Sequence, residues 1–446
     1  MKENEKKGED IKRSKEEQPK HDGLFMRITV NLCRFILAAT LLFSGFVKAV
    51  DPLGTQYKLQ EYLHALDLST LLPDWFLIVV AVGLAVLEFT LGMLLLFAIQ
   101  RRLASRTTLV LMIVMTAVTT WLAISNPISD CGCFGDAIHL SNTQTLLKNI
   151  LLTVCALVVT IRPLLLTRFI SESSQWIVEH YTVLFIIGLS IYSLYLLPPF
   201  DFRPSHVGAD IKKGMEIPEG APLPAFETTF IMEKDGKQQE FTVENYPDTS
   251  WHYVDRRVKE IRKGYVPPIH DFSITDDDND DITEEILDAE GYTFLLIAPD
   301  LEKADDSNFG EIDHIYEYSL DHGYDFLCLT ASGEQAKAQW RDLTGAEYPI
   351  YAADQTTLKT LIRSNPGLML LKHGVVFAKW SCNNLPQFST TDDEKIFRQD
   401  ATERQAFHNA KTMLALLMWF VLPLLLLTIA DRLWAWTKHL NKKSTK

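Results

Sequence analysis

The chain has 446 residues, 47% of them hydrophobic and 22% charged, a balance that neither a wholly soluble nor a wholly membrane-embedded protein gives. Its formal net charge of -14 is unevenly spread: residues 201–410 carry about -20, leaving about +6 for the remainder. An acidic soluble part is therefore flanked by a basic membrane part, and nucleic acid is excluded as a partner because no basic patch with interleaved aromatics is present to neutralise phosphates.

Residues 1–27 are polar and charge-rich, the composition of a disordered cytoplasmic tail. Six apolar runs follow, each near the roughly 17 to 25 residues needed to cross about 30 Å of hydrocarbon. They cover 28–50, 75–99, 107–124, 146–161, 182–197 and 413–430, and the fourth and fifth carry Lys148 and Glu179 near their ends. The first run is too long for a removable signal peptide and lacks a small-residue cleavage site. The expected division is a membrane domain over 28–165, a fifth transmembrane helix within 176–199, a periplasmic part from 200 to 390, a sixth transmembrane helix within 410–432 and a cytoplasmic tail over 433–446.

Short loops rich in Lys and Arg resist translocation, so their distribution sets orientation. Lys12, Arg13, Lys15, Lys20 and Arg27 precede the first run, Arg101, Arg102 and Arg106 follow the second, Arg162 and Arg168 follow the fourth, and Lys438, Lys442 and Lys443 close the chain. The opposite loops hold Lys58 and no basic residue from Asn126 to Gln144. Both termini are expected in the cytoplasm of a bacterium, with the loop 126–142 and the soluble domain in the periplasm.

Polar residues inside the runs bear on function. Glu88 lies near the middle of the second run, where an ionised carboxylate costs about 2.5 to 3.5 kcal/mol on the lenient insertion scale, so it should face the bundle interior or be protonated. Arg34 is the obvious partner for it, with snorkelling to the interface as the alternative. Lys48 and Asn149 are placed to line a cavity beneath the loop 126–142. Glu88 and Lys48 are candidates for a proton or quinone role, against the plainer reading of a hydrogen-bonded pair that fixes helix packing.

Six cysteines are present. Cys33 and Cys155 sit within apolar runs and Cys328 within a strand-like segment, all read as small buried hydrophobes; Cys382 follows a strand ending at Trp380. Cys131 and Cys133 remain, in Asp130-Cys131-Gly132-Cys133-Phe134-Gly135-Asp136. Closing so short a loop gains only about 1.6 kcal/mol of unfolded-state entropy, and the tight bend, which Gly132 accepts, makes such a bond easy to reduce. An exposed, strained dithiol suits electron exchange better than stapling. The flanking Asp130 and Asp136 are expected to raise the thiol pKa values, which opposes fast attack. A static disulfide, a pair of unpaired thiols, and a metal site built from Cys131, Cys133, Asp136 and His139 stay open beside the redox couple; the metal site has too few ligands to close unless the soluble domain adds more.

The region from about Arg27 to Leu164 resembles the methylamine-utilisation MauE family within the wider DoxX-like group of four-helix membrane proteins. The resemblance rests on Phe43-Ser44-Gly45-Phe46-Val47-Lys48-Ala49-Val50-Asp51-Pro52, on Glu88-Phe89-Thr90-Leu91-Gly92 and on the Cys131–Cys133 motif. The whole chain resembles the fused MauE/DoxX-type proteins of Bacteroidetes, in which a periplasmic domain and a final span follow. The resemblance implies an all-α four-helix membrane bundle and electron exchange through Cys131 and Cys133 with a periplasmic partner, as a thiol-disulfide oxidoreductase linked to methylamine metabolism. Nothing in the sequence itself speaks to an amine substrate.

In the soluble part, the β-rich segment 200–290 contains strands over 226–231 and 239–243 around an Asp235-Gly236 hairpin turn. The acidic run 275–285 reads as a solvated loop, since neither the Gly nor the Glu of an EF-hand falls in register. Over 291–390 the pattern alternates: strand 292–298, helix 309–322, strand 324–330, helices 335–344 and 356–363, then Asn365-Pro366 and a hairpin of strands 367–371 and 375–380. This order resembles the α/β thioredoxin fold, whose proline at this place is cis. The segment after its first strand, residues 299–306, holds no cysteine, so the domain is expected to bind a partner near Pro366 rather than to exchange disulfides itself. Two readings of the whole chain follow: a membrane thiol-redox protein using Cys131 and Cys133, with a membrane quinone as the candidate carrier, or a non-enzymatic scaffold or assembly factor whose thioredoxin-like domain is the binding module. No Gly/Pro-interrupted inverted repeat supports a transporter.

Overall fold

The computed structural model describes residues 23–444 apart from 70, 129, 223–224, 235–236, 243–244, 246–250, 263, 271, 389–396 and 398–399. The tail expected over 1–27 is therefore described only from residue 23, and the Asp235-Gly236 turn lies outside the described residues. The chain divides into two units, one made of Met1–Phe202 with Ala406–Lys446 and the other of Arg203–Gln405.

The first unit is helical because its long apolar runs leave the backbone no other way to satisfy its hydrogen bonds in lipid. Helices α1 (Leu24–Val50), α3 (Asp74–Phe97), α4 (Arg101–Ser125), α5 (Asn142–Ile161) and α6 (Gln175–Tyr195) are each long and apolar enough to span, as is the last helix over Ala401–Trp434, six in all among the described residues. A further helix, α2 (Pro52–Ala65), was not foreseen, because it holds no long apolar run. Its start is nevertheless written locally: the Asp51 carboxylate accepts from Gly54 N at 2.8 Å and Pro52 occupies the first turn.

Helices α1 and α3 touch backbone to backbone. A Cβ on Gly45 would lie 2.5 Å from Phe89 N and 2.8 Å from Ala85 O, and one on Gly92 would lie 2.8 Å from the Leu42 side chain. Small residues at a crossing are how membrane helices gain contact without a hydrophobic driving force. Arg34 does not pair with Glu88, nor does it snorkel. It is fully buried and donates through Nε to Leu95 O at 2.7 Å, and through its other nitrogens to Leu96 O, Thr167 O and Asn31 Oδ1. The Leu95 and Leu96 carbonyls belong to the C-terminal turn of α3, where Ala98 turns left-handed at φ 55, and a cation there meets the negative end of the helix dipole.

Helices α4 and α5 are joined by Thr116 and Thr153 hydroxyls at 2.7 Å and by Asn149 Nδ2, which donates to Thr119 Oγ1 at 3.3 Å. Asn149 thus serves the α4–α5 seam and not a cavity under the loop. On the other flank, the Phe185 ring of α6 stacks on Phe420 of the last helix at 4.2 Å, with Phe89 of α3 beside them. The last helix widens to a π turn at Leu417–Val421, and the Tyr181 hydroxyl donates to Trp419 O within that turn.

The second unit holds two sheets. The first is antiparallel in the order β2-β1-β3, from β1 (Ala225–Lys234), β2 (Lys237–Thr242) and β3 (His252–Arg262). Strand β3 escapes sequence patterning because its charges, from Asp255 to Arg262, erase the apolar alternation. The second sheet has the order β4-β7-β6-β5-β8-β9, from β4 (Ile274–Thr275), β5 (Tyr292–Ala298), β6 (Asp325–Thr330), β7 (Ile350–Ala353), β8 (Gly367–Lys372) and β9 (Val375–Ser381). Strand β5 lies parallel to β6, β6 parallel to β7, while β8 runs antiparallel to β5 and β9 antiparallel to β8. Helices α7 (Phe309–His322), α8 (Glu334–Thr344) and α9 (Gln355–Leu361) make the crossovers. All seven residues of β5 are buried, as befits a central strand covered on both faces. The Asn365–Pro366 peptide is cis and opens β8.

Candidate functional site

Cys131 and Cys133 lie in the loop that joins α4 to α5. The loop is tight because Gly132 and Gly135 both take positive φ, +64 and +51, and Gly135 N donates to Gly132 O at 3.0 Å. The two sulfurs are 2.8 Å apart, so a disulfide at about 2.05 Å needs only a small closure. The expectation of an exposed dithiol is corrected: the residues are 7% and 8% exposed, packed with Leu122 and Ile128 against Tyr62, Met115, Val118 and Trp121. Burial arises because α2 folds over the loop, with the stem of Lys58 only 2.7 Å from where a Cβ on Gly132 would sit.

The electrostatics also differ from expectation. Asp130 does not confront the thiols with an open charge, since Lys58 Nζ donates to its carboxylate at 2.7 Å while also holding Glu61 at 2.8 Å. Burial by itself would lower the Lys58 pKa, but these carboxylates outweigh it and raise the value. The Cys131 thiol is pulled down to about 6, first by the hydrogen bond from the Cys133 thiol, against the opposing effect of burial, and further by the Tyr62 hydroxyl, Lys148 and Lys48. The Cys133 thiol is raised for the complementary reason, as the member that keeps its proton toward Cys131, and burial adds to the shift. One low and one high thiol is the asymmetry an exchanging pair needs.

Beneath the loop, the structure joins the two polar residues that the sequence singled out. Lys48 Nζ and Glu88 Oε2 form a buried ion pair at 2.8 Å. The same ammonium donates to Ser44 Oγ at 2.7 Å and to Cys133 O at 2.9 Å, and Ser44 Oγ donates to Cys133 O at 2.8 Å. The three sequence motifs thus converge: Ser44 and Lys48 of α1 hold the backbone of the cysteine loop, and Glu88 of α3 holds Lys48. The buried Lys48 ammonium thus finds a hydroxyl, a carboxylate and a carbonyl as acceptors for its three protons.

Residues that the sequence did not flag complete the site. Tyr62 donates to Cys131 O at 2.8 Å. Lys148, in the second turn of α5, places Nζ 4.1 Å from the centre of the Phe134 ring, which itself meets Phe43 edge-on at 5.3 Å. Lys58 and Tyr62 stand four apart on one face of α2, a helical spacing that could have flagged them. Among the described residues no group of three or more His, Cys, Asp or Glu is arranged to hold a metal ion. The remaining cysteines lie elsewhere: Cys155 is buried in α5, Cys33 half-buried in α1, and Cys328 has no exposure in β6, where burial pushes its thiol up to about 12. Cys382 follows β9, with its N–H donating to Ser364 Oγ at 3.1 Å beside the cis proline. After β5, residues Leu301–Lys303 form a 3-10 turn, tied back by Asn365 Nδ2, which donates to Asp300 O at 2.7 Å.

A six-span unit with a buried thiol pair and a separate α/β unit define a multi-pass membrane protein. Residues 26–162 match the profile of the family described as Methylamine utilisation protein MauE, so the chain carries a MauE-like membrane region. Residues 226–263, the segment of β1 to β3, match a domain of unknown function, DUF8463. No curated protein and no solved structure matches the chain.

Proposed function

We propose that the chain is a membrane thiol-disulfide electron-transfer protein whose redox couple is Cys131 and Cys133. The observation that carries this reading is the buried pair of sulfurs 2.8 Å apart, one thiol lowered to about 6 and the other raised. In the oxidised form a thiolate of a partner dithiol attacks the Cys133 sulfur, and Cys131 leaves as the thiolate because a lower pKa makes the better leaving group. The partner's second thiolate then breaks the mixed disulfide. The partner departs with its own disulfide, and Cys131 and Cys133 are left reduced. Two electrons and two protons pass on to a lipid-soluble acceptor of the quinone class, and the Cys131–Cys133 bond forms again. Lys48 and Glu88 serve this cycle as positioning residues: Lys48 holds the Cys133 carbonyl and Glu88 holds Lys48.

In this reading the cysteine loop faces the periplasm and both termini the cytoplasm of a bacterial inner membrane, in line with the distribution of Lys and Arg. The strand order β6-β5-β8-β9, with a cis proline opening β8, supports a thioredoxin-like fold for the α/β unit. With no cysteine at 299–306, that unit is assigned the binding of a protein partner. The link to methylamine rests on the family description alone.

The test is the redox state of Cys131 and Cys133 in intact cells, trapped by acid and alkylated, with and without a quinone-pool poison. The pair should accumulate as dithiol when the pool is blocked. A state that never varies, together with normal growth of a strain carrying Cys131→Ser and Cys133→Ser, would instead favour a scaffold or assembly factor.

A further inference from the structure

At the opposite end of the membrane unit from the cysteine loop, three arginines share one cleft. It has a volume of about 370 Å³ and is lined by Gln100, Arg101, Arg102, Leu103, Leu164 and Arg168. The cleft lies where α3 ends, α4 begins and the chain leaves α5, which is also the end at which α1 starts, since Asn31 Nδ2 donates to Leu165 O at 3.3 Å. Its charges are fixed to different degrees. Arg101 is anchored by donating to Leu164 O and Leu166 O, both at 3.1 Å, which orients its guanidinium without neutralising it. Arg168 pairs with Glu172 on the exposed surface, and Gln100 Nε2 donates to Glu179 at 2.9 Å. Arg102 is exposed and has no carboxylate partner among the described residues. Three guanidiniums thus meet two carboxylates, Glu172 on Arg168 and Glu179 on Gln100, and the surplus is positive.

The apolar part of the lining settles which anion suits it. Leu103 is 60% exposed and Leu164 51% exposed, and each adjoins an arginine at the end of a spanning helix. A soluble anion has no use for exposed leucines, whereas a lipid presents a phosphate to the cations and an acyl chain to the leucines in one molecule. Arg is suited to this because its planar fork meets two phosphate oxygens at once. We infer that the cleft of Arg101, Arg102 and Arg168 binds the phosphate headgroup of an anionic lipid, with its acyl chain along Leu103 and Leu164. This site is independent of the thiol couple and stands or falls without it.

The test titrates the full-length chain in phosphatidylcholine nanodiscs with fluorescent phosphatidylglycerol, reading energy transfer from tryptophan. The wild type should prefer phosphatidylglycerol over labelled phosphatidylcholine. The variant with Arg102→Gln and Arg168→Gln should lose about tenfold in that preference, while Arg102→Lys should keep most of it. Arg106→Gln removes the same charge one turn along α4 but outside the cleft, and should change nothing. Equal loss in Arg106→Gln would mean a general surface charge and overturn the site. So would an unchanged preference in the double variant, or competition by millimolar inorganic phosphate as strong as that by unlabelled phosphatidylglycerol, which would make the ligand a free phosphate.

Discussion

A lysine inside a helical bundle is tolerated only while its charge and its protons have partners, and Lys48 has three: Glu88, Ser44 and the Cys133 carbonyl. Lys48→Met leaves the Glu88 carboxylate buried alone and should cost about 3 to 5 kcal/mol in thermal unfolding of the detergent-solubilised chain. Adding Glu88→Leu should recover most of that loss, because a buried pair replaced by apolar residues is close to neutral. Failure of the second substitution to rescue would mean that the pair does more than satisfy itself. The thiols make a second residue-scale prediction. Below pH 6 the Cys131 thiol is protonated and unreactive, and above it the thiolate dominates, so its alkylation rate should climb with a midpoint near 6. Cys133 should stay unlabelled through neutral pH. Lys148→Gln removes one of the charges that favour the thiolate, so the Cys131 midpoint should move up; peptide-resolved mass spectrometry after pulsed iodoacetamide reads both sites. Indistinguishable midpoints for the two cysteines would contradict the asymmetry.

At the scale of elements, the site depends on how closely α1 and α3 approach, since Lys48 comes from one and Glu88 from the other. Gly45 sets that approach, with any Cβ meeting backbone atoms of α3 at 2.5 and 2.8 Å. Gly45→Val should push the helices apart, destabilise the chain by about 1 to 3 kcal/mol or more, and slow alkylation of Cys131 as the clamp on the loop loosens. Gly83→Ala, on the same helix as Glu88 but with nothing within 4 Å of the new Cβ, should leave both readouts unchanged. Helix α2 is the other element that matters, for it covers the thiols and carries Lys58 and Tyr62 to them. Its start could be read from Asp51-Pro52, yet its existence was hidden, because only a long apolar run or a clear amphipathic stripe announces a helix, and α2 has neither.

For the whole molecule the decisive question is sidedness. Single cysteines introduced as Ile138→Cys in the loop and Asp306→Cys in the α/β unit should react with a membrane-impermeant maleimide in intact cells, whereas Arg106→Cys should react only after lysis. Two spans, α5 and α6, separate the loop from the α/β unit, so opposite labelling of the first two would break the assigned topology. The spans themselves were legible from the sequence because lipid admits little but a continuous apolar helix: each of the six apolar runs falls on a helix, the second and fifth overrunning its end by two residues. In the α/β unit, strands β5, β6, β8 and β9 were legible from buried apolar runs between turn signals. Strands β3 and β7 were not, the first masked by charge and the second only four residues long.

The chain by itself determined which segments enter the membrane, which residues are too polar to be there without a reason, and which cysteines stand apart from the rest. Those are properties of local composition, and local composition is sufficient for them. Only the tertiary structure decided that Glu88 belongs to Lys48 and not to Arg34, that Lys48 reaches the Cys133 carbonyl, that Asp130 is met by Lys58, and that the thiols are covered. Each of these joins residues 40 or more apart in the chain, apart from the cover, which α2 supplies from a similar distance. A single sequence carries no trace of such distances, because a buried charge shows that a partner is required but not which helix will bring it.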